Sequence, residues 1–200
     1  MNSNGAVSQK DDNTLWTDVL EGDKEAFSSL YHTYRNRLFN YGYRIIARED
    51  FVEDCIQELF LTIWENHYSI SEAKSVKAYL YISMRRTIFK NLRKYRNQQD
   101  RNLKYVKERD QHSISIEKYL IELEYQSEYR QRLMVAINSL SKRRREVIYL
   151  KYYDGMSNAE IAGLMDIKRQ SVYNHVSKAL SEMERSVAKW NDLYNNGSKN

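Results

Sequence analysis

Residues 140–180 read LSKRRREVIYLKYYDGMSNAEIAGLMDIKRQSVYNHVSKAL, and this stretch divides physically into three helices. Ser141 is placed to cap the first, with Val147, Ile148 and Leu150 as its apolar contacts, and Gly155 closes it, as a residue tolerant of positive φ should. Ser157 opens the second helix, and Glu160 three residues on completes a Ser-x-x-Glu capping box. Ile161, Leu164 and Met165 face inward, while Ala162 is small enough to let the next helix cross closely. After a short turn at 166–168, Val172, Val176 and Leu180 recur at i, i+4 and i+8 as the expected buried stripe of the third helix. Arg169, Gln170, Ser171, Tyr173, Asn174, Ser177 and Lys178 are left pointing outward. Arg pairs bidentately with guanine and Gln or Asn with adenine. Caps, turn length and outward polar set therefore define a helix-turn-helix whose last helix enters the major groove of duplex DNA. A three-helix bundle with a merely polar surface is the plainer reading of the same stretch.

The rest of the chain is compatible with an all-α fold. It has 200 residues, no Pro and only 6 Gly, which leaves too few turn residues for a strand-and-turn architecture. The net charge of +5 is unevenly placed. Residues 85–109 hold ten Lys/Arg against two acids, residues 110–128 one Lys against five acids, and residues 129–190 twelve bases against six acids. Two basic blocks separated by an acidic stretch suit a chain with two polyanion-contacting modules. The single Cys55 excludes an internal disulfide and points to a reducing cytoplasm. No apolar run or signal core indicates membrane insertion.

Upstream, residues 1–13 are polar and read as a disordered tail. Phe27, Leu30, Tyr31, Tyr34, Leu38, Tyr41 and Ile45 then form one apolar stripe at helical spacing. A second helix is expected over 50–65, with Val52, Ile56, Leu59 and Ile63 on its core face. Asp54, Gln57, Glu58, Leu61 and Glu65 fall on the far side, with Trp64 at the margin. Leu61, about 180° from Val52, is either a singly exposed Leu or the apolar centre of a partner-binding face ringed by carboxylates and an amide. Residues 66–75 read as a loop. A helix follows over 76–95, with Val76, Leu80, Met84, Thr87 and Asn91 on one face. Ile82, Arg85, Arg86, Phe89, Arg93 and Arg96 gather on the other. Cations with an interleaved aromatic suit single-stranded nucleic acid; a solvated basic face is the alternative.

Three segments of the N-terminal half, GDKEAF (22–27), EDCIQELFLTIW (53–64) and AYLYISMR (78–85), stand in order ahead of the helix-turn-helix. Together they resemble the extracytoplasmic-function group of bacterial sigma factors, from about Leu15 to Val187. The resemblance implies two small helical domains. Domain 2 (14–97) and the helix-turn-helix domain 4 (129–190) are joined by a linker (98–128) and followed by a tail (191–200). It implies that Asp54, Gln57, Glu58, Leu61 and Trp64 dock on core RNA polymerase. It assigns engagement and melting of the minus-ten element to the loop 68–75, with Tyr68 and Ser69, and to Arg85, Arg86, Phe89, Lys90 and Arg93. Minus-35 reading falls to Ser157, Arg169, Gln170, Ser171, Tyr173, Asn174 and Lys178.

The chain departs from the family pattern at several positions. Tyr79 replaces a Trp, Arg86 and Lys90 stand where many members have Asn and Asp, and Ser141 replaces a common Pro. Asp166 takes a turn position where Gly is usual, and Lys168 one where Ser usually caps. The Asn/Tyr-rich, Pro-free composition and the forms around Tyr79 suggest a Bacteroides-type lineage. The partners the resemblance implies are core polymerase, promoter DNA and an anti-sigma factor, commonly membrane-linked in the family, with no cofactor, no metal and no catalysis.

Two rival readings fit less of the sequence. A helix-turn-helix regulator would not need residues 50–96. A metal-dependent nuclease built on Glu53, Asp54, Glu58 and His67 lacks any His-x-x-x-His, Cys cluster or Gly-rich loop.

Overall fold

The structure, a computed structural model, describes residues 11–102 and 127–197. Most of the expected N-terminal tail (1–10), most of the expected linker (103–126) and residues 198–200 lie outside the described residues. Among the described residues all regular structure is helical, as the composition required. The chain forms two compact units.

The first unit holds α1 (Asp12–Leu20), α2 (Lys24–Ile45) as far as Gly42, α3 (Glu49–Asn66) and α4 (Val76–Asn102). The Asp11 side chain accepts from Thr14 N at 2.8 Å, capping α1; this bond holds the Asp11 carboxyl below its usual pKa. The GDKEAF segment has a separate use for nearly every letter. Gly22 takes φ +88° at the turn. Asp23 Oδ1 accepts from Glu25 N at 2.8 Å and Ala26 N at 3.1 Å, opening α2. Ala26 is buried, and Phe27 lies 4.9 Å from the Trp64 ring.

The expected stripe of α2 is largely realised: Leu30, Tyr34, Leu38 and Tyr41 are buried. On α3, Val52, Ile56, Leu59 and Ile63 are joined in the core by Cys55 and Phe60. Burial pushes the Cys55 thiol up to about 11, so it is an inert packing group. Val76, Leu80, Tyr81, Met84, Ile88 and Leu92 form the inner face of α4. Helices α2, α3 and α4 meet closely at Gly42. A Cβ there would stand 2.8 Å from Val52 Cγ1 and 2.9 Å from Met84 Cε. Arg35 ties α2 to Glu53 of α3 at 2.6 Å, and Trp16 of α1 packs on Tyr79 at 4.9 Å, so the Tyr that replaces a Trp keeps an aromatic contact.

The second unit holds α5 (Ser127–Asn138), α6 (Lys142–Ile148), α7 (Asn158–Met165) and α8 (Arg169–Gly197), with a π-helical turn over Tyr149–Tyr153. Val147, Leu150, Met156, Ile161, Ala162, Leu164, Met165, Val172 and Ala179 are buried. Trp190, late in α8, is buried with the Arg132 guanidinium of α5 4.7 Å from its ring centre. Gly155 takes φ +61°, and Met156 N donates to Leu150 O at 2.9 Å, closing the end of the π turn.

The elements differ from expectation at several points, each with a physical reason. Helix begins at Asp12, inside the expected tail, because the Asp11 cap precedes it. α3 runs to Asn66 and a 3-10 turn follows over His67–Ser69, so the expected loop is shorter; the Asn66 side chain donates back to Thr62 O at 2.8 Å. α4 passes residue 95 to Asn102, and α8 passes 190 to Gly197, since no Gly or Pro interrupts either stretch. Ser141 has N-cap backbone geometry but makes no side-chain cap bond. Leu180 is not part of the buried stripe: it is exposed, Val176 is half-buried, and Ala179 takes the inner position. The i, i+4, i+8 pattern drifts around a helix of 3.6 residues per turn, and a small residue suits the closest contact.

Candidate polymerase and promoter-DNA interfaces

On the first unit, α3 presents Asp54, Gln57 and Leu61 to solvent, and Leu61 is 57% exposed while the opposite face is buried. Trp64 is half-buried. It packs on Phe27 and stacks on His67, with ring centres 5.2 Å apart and planes 21° from parallel. Glu58 is not a solvent-directed acid. Its Oε1 accepts from Lys90 Nζ at 2.8 Å and its Oε2 from Asn91 Nδ2 at 2.7 Å, both on α4. The Lys90 bond, then the Asn91 bond, hold the Glu58 carboxyl below its usual range. Glu58 and Lys90, expected to serve different partners, thus meet each other.

The remaining first-unit residues fall into two sets. Tyr68 is 78% exposed on the 3-10 turn; Ser69 is exposed, and its Oγ donates to Asn66 O at 3.0 Å. Arg86 and Arg93 are exposed on α4, with Arg93 Nε donating to Phe89 O at 3.3 Å. Arg85 is held inward: its Nη1 donates to Tyr41 Oη at 3.0 Å and its guanidinium lies 5.0 Å from the Phe89 ring centre. Phe89 is itself half-buried. The exposed cations of this face are therefore Arg86, Lys90 and Arg93, Lys90 being bridged to Glu58, with the half-buried Arg85 and Phe89 as their backing. Arg96 lies outside the residues whose side chains are described.

Two of the three acids of the nuclease reading are already engaged, Glu53 by Arg35 and Glu58 by Lys90, while Asp54 faces solvent. Among the described residues no group of three or more His, Cys, Asp or Glu is arranged to hold a metal ion. No helix among the described residues is long and apolar enough to cross a membrane.

On the second unit the capping box forms in full. Ser157 Oγ accepts from Glu160 N at 3.2 Å, and Glu160 Oε2 accepts from Ser157 N at 2.8 Å. Ser157 is exposed, but its oxygen serves the helix. The turn into α8 places Asp166 at φ +52°, ψ +55°, the left-handed conformation that Gly would adopt without cost. Arg169, Gln170, Tyr173, Asn174 and Lys178 are exposed and Ser171 is half-exposed along the first turns of α8. Arg169 Nη2 donates to Tyr173 Oη at 3.4 Å, which lowers the phenol's pKa. Gln170 Nε2 donates to Asn174 Oδ1 at 3.4 Å.

Ser171, Asn174 and Lys178 also line a cavity of about 250 Å³ with Arg144 of α6 and His175. Neither of these last two stood among the expected site residues. The Arg144 side chain is set by Glu182, a contact made across 38 residues of sequence, and no local pattern points to it.

Two family models match this chain: sigma-70 region 2 over residues 30–98 and sigma-70 region 4 over residues 130–183. Together they take in more than half of the chain. Among curated relatives, it is 26% identical over 153 residues to the ECF RNA polymerase sigma factor SigK of Mycolicibacterium vanbaalenii, covering 74% of each chain. It is 21% identical over 170 residues to the SigK of Mycobacterium bovis, covering 84% of this chain and 89% of the relative.

Two solved structures share the fold. CnrH, solved in complex with the cytosolic domain of CnrY, superposes with a TM-score of 0.55 at 19% identity, over 87% of this chain and 95% of that one. The sigma factor RpoE, solved with the anti-sigma factor NepR from Bartonella quintana, gives 0.55 at 20% identity, over 82% and 98%. The chain belongs to the extracytoplasmic-function sigma factors of the sigma-70 family. It is an RNA polymerase sigma factor, which binds core polymerase and directs promoter-specific initiation.

Proposed function

We propose the following division of labour within that function. α3 docks on core polymerase through Asp54, Gln57 and Leu61, with Trp64 and Glu58 fixing the helix in place. The observation that carries this is Leu61, 57% exposed on a helix whose opposite face is closed. A solvated helix gains nothing from an apolar group there, and a partner that buries it does.

Tyr68, Ser69, Arg86, Lys90 and Arg93, backed by Arg85 and Phe89, form the surface that engages the minus-ten element. Cations follow the phosphates of the separated strand and an exposed ring stacks on an unstacked base, which offsets the few kcal/mol of unpairing. Arg169, Gln170, Ser171, Tyr173, Asn174 and Lys178 read the minus-35 element in the major groove; Ser157 contributes by fixing α7. Residues 14–97 and 129–190 are the two working domains. The factor acts in the cytoplasm by binding, not catalysis, and belongs to a Bacteroides-type lineage on the strength of its Asn/Tyr-rich, Pro-free composition. An anti-sigma factor restrains it, a reading supported by the fold it shares with RpoE, which was solved with NepR.

Transcription in vitro with core polymerase on a library of random promoters tests the whole. Initiation that tracks added protein and selects two spaced elements is the expected result. Failure to bind core polymerase refutes the division of labour.

A further inference from the structure

The notch beside the recognition helix has a chemistry of its own. Arg144 from α6 and Ser171, Asn174, His175 and Lys178 from α8 line it, and no carboxylate does. Ser171, Asn174, His175 and Lys178 are spaced three and four apart, so they share one helix face. Two cations, a hydroxyl, an amide and an imidazole converge on about 250 Å³, room for a phosphate group and neighbouring water. Arg144 is pre-set: its Nη1 meets both carboxylate oxygens of Glu182, so its position costs little ordering when an anion arrives. Three of the lining residues, Ser171, Asn174 and Lys178, already belong to the outward surface of α8, so the notch is continuous with the face turned to the duplex.

We propose that this notch seats a backbone phosphodiester of duplex DNA and that His175 takes up a proton from solvent as it does so, making promoter affinity pH-dependent. This rests on the duplex-binding reading of α8. In the free protein partial burial, and then the charges of Arg143, Arg144 and Lys178, hold the His175 imidazole below its ordinary pKa, which favours the neutral ring. Glu182, the acid that meets Arg144, is held by it. A phosphate brings the missing negative charge and an acceptor oxygen, and the imidazolium becomes the favoured form. The bound-state pKa therefore lies above the free-state pKa. Affinity is highest below the free-state value, falls as pH rises through the window between the two, and levels off above the bound-state value.

The test is a proton NMR titration of the His175 ring in the full chain, with its signal assigned among the four His by its loss in His175→Gln. Spectra are taken alone, with a short mixed-sequence duplex, and with inorganic phosphate, beside anisotropy measurements of duplex affinity at about pH 6 and about pH 8, either side of the ordinary imidazole range. The expected results are an upward move of the His175 pKa with the duplex, and a several-fold loss of affinity from the lower to the higher pH that disappears in His175→Gln. Arg144→Ala is expected to weaken duplex binding and blunt that move. If the duplex binds, with Arg169→Ala weakening it, while the His175 titration is unmoved, the notch proposal falls and the reading of α8 stands. If the pH dependence persists in His175→Gln the proposal also falls. A move with inorganic phosphate but none with the duplex makes the notch a free-anion site and overturns the assignment. Absence of duplex binding in any form overturns both readings.

Discussion

Leu61→Ala isolates the proposed polymerase contact from the stability of the fold. Fully burying a Leu side chain is worth about 1.5–3 kcal/mol. Leu61 keeps 57% of its surface exposed, so roughly half of that, about 1–1.5 kcal/mol, is still available to a partner. Because tenfold in affinity corresponds to about 1.4 kcal/mol, Leu61→Ala is expected to weaken core binding by about five- to tenfold. The same change should leave stability within about 0.5 kcal/mol, as exposed sites do. Leu61→Glu adds a carboxylate that the partner must desolvate, so its loss should exceed that of Ala by at least a further order of magnitude, about 1.4 kcal/mol or more. Fluorescence anisotropy of labelled protein titrated with core polymerase reads the affinity, and urea unfolding followed by helix dichroism reads the stability. Unchanged affinity in both variants refutes the reasoning. So does a stability loss near 2 kcal/mol or above in Leu61→Ala, because Leu61 would then be a packing residue.

Three further outcomes are expected. Gly42→Ala sets helix propensity, which favours Ala by about 1 kcal/mol, against overpacking of Val52 and Met84 at 2.8 and 2.9 Å, which costs about 1–3 kcal/mol. Net destabilisation, relieved by adding Val52→Ala, is expected in urea melts, and a gain of about 1 kcal/mol would show that the crossing is loose. Ser157→Ala removes one half of the capping box and should cost about 1 kcal/mol, read by thermal unfolding of the second unit through Trp190 fluorescence in a Trp16→Phe, Trp64→Phe background; no change would mean the cap is idle. Arg169→Ala and Asn174→Ala should each lower minus-35-dependent initiation by about five- to a hundredfold, the worth of one good base contact, without altering core affinity. Equal loss of core affinity would count against separate surfaces.

The sequence carried the helical class, both units and the capping box because these depend on local signals: apolar spacing, Ser-x-x-Glu, Gly at positive φ. The ends of the helices were less legible. α3, α4 and α8 each run on past expectation because polar residues such as Asn66 extend a helix without leaving a periodic trace. The site was legible where exposure follows from periodicity, as at Leu61 and Arg169. It was not legible where a long-range partner decides orientation. Arg85 looks outward by helical angle, yet Tyr41, 44 residues away, holds it inward; Arg144 enters the notch region through Glu182, 38 residues away. Ala179 in place of Leu180 follows from how closely α8 packs, which an i, i+4, i+8 count does not contain.

The clasp of Glu58 with Lys90 and Asn91 has a bearing on how such a protein can vary through descent. Position 58 lies on the helix proposed to face the polymerase and position 90 on the one proposed to face the promoter, two surfaces under two different selections. Joined at 2.8 Å, the two positions are physically coupled. A change of Lys90 to Asp, the residue many related factors carry, would set two carboxylates against each other unless position 58 changed as well. Chimeras that exchange α4 alone between relatives should therefore fail more often than those that exchange α3 and α4 together, which would tether a change of promoter preference to the surface proposed to recruit the polymerase.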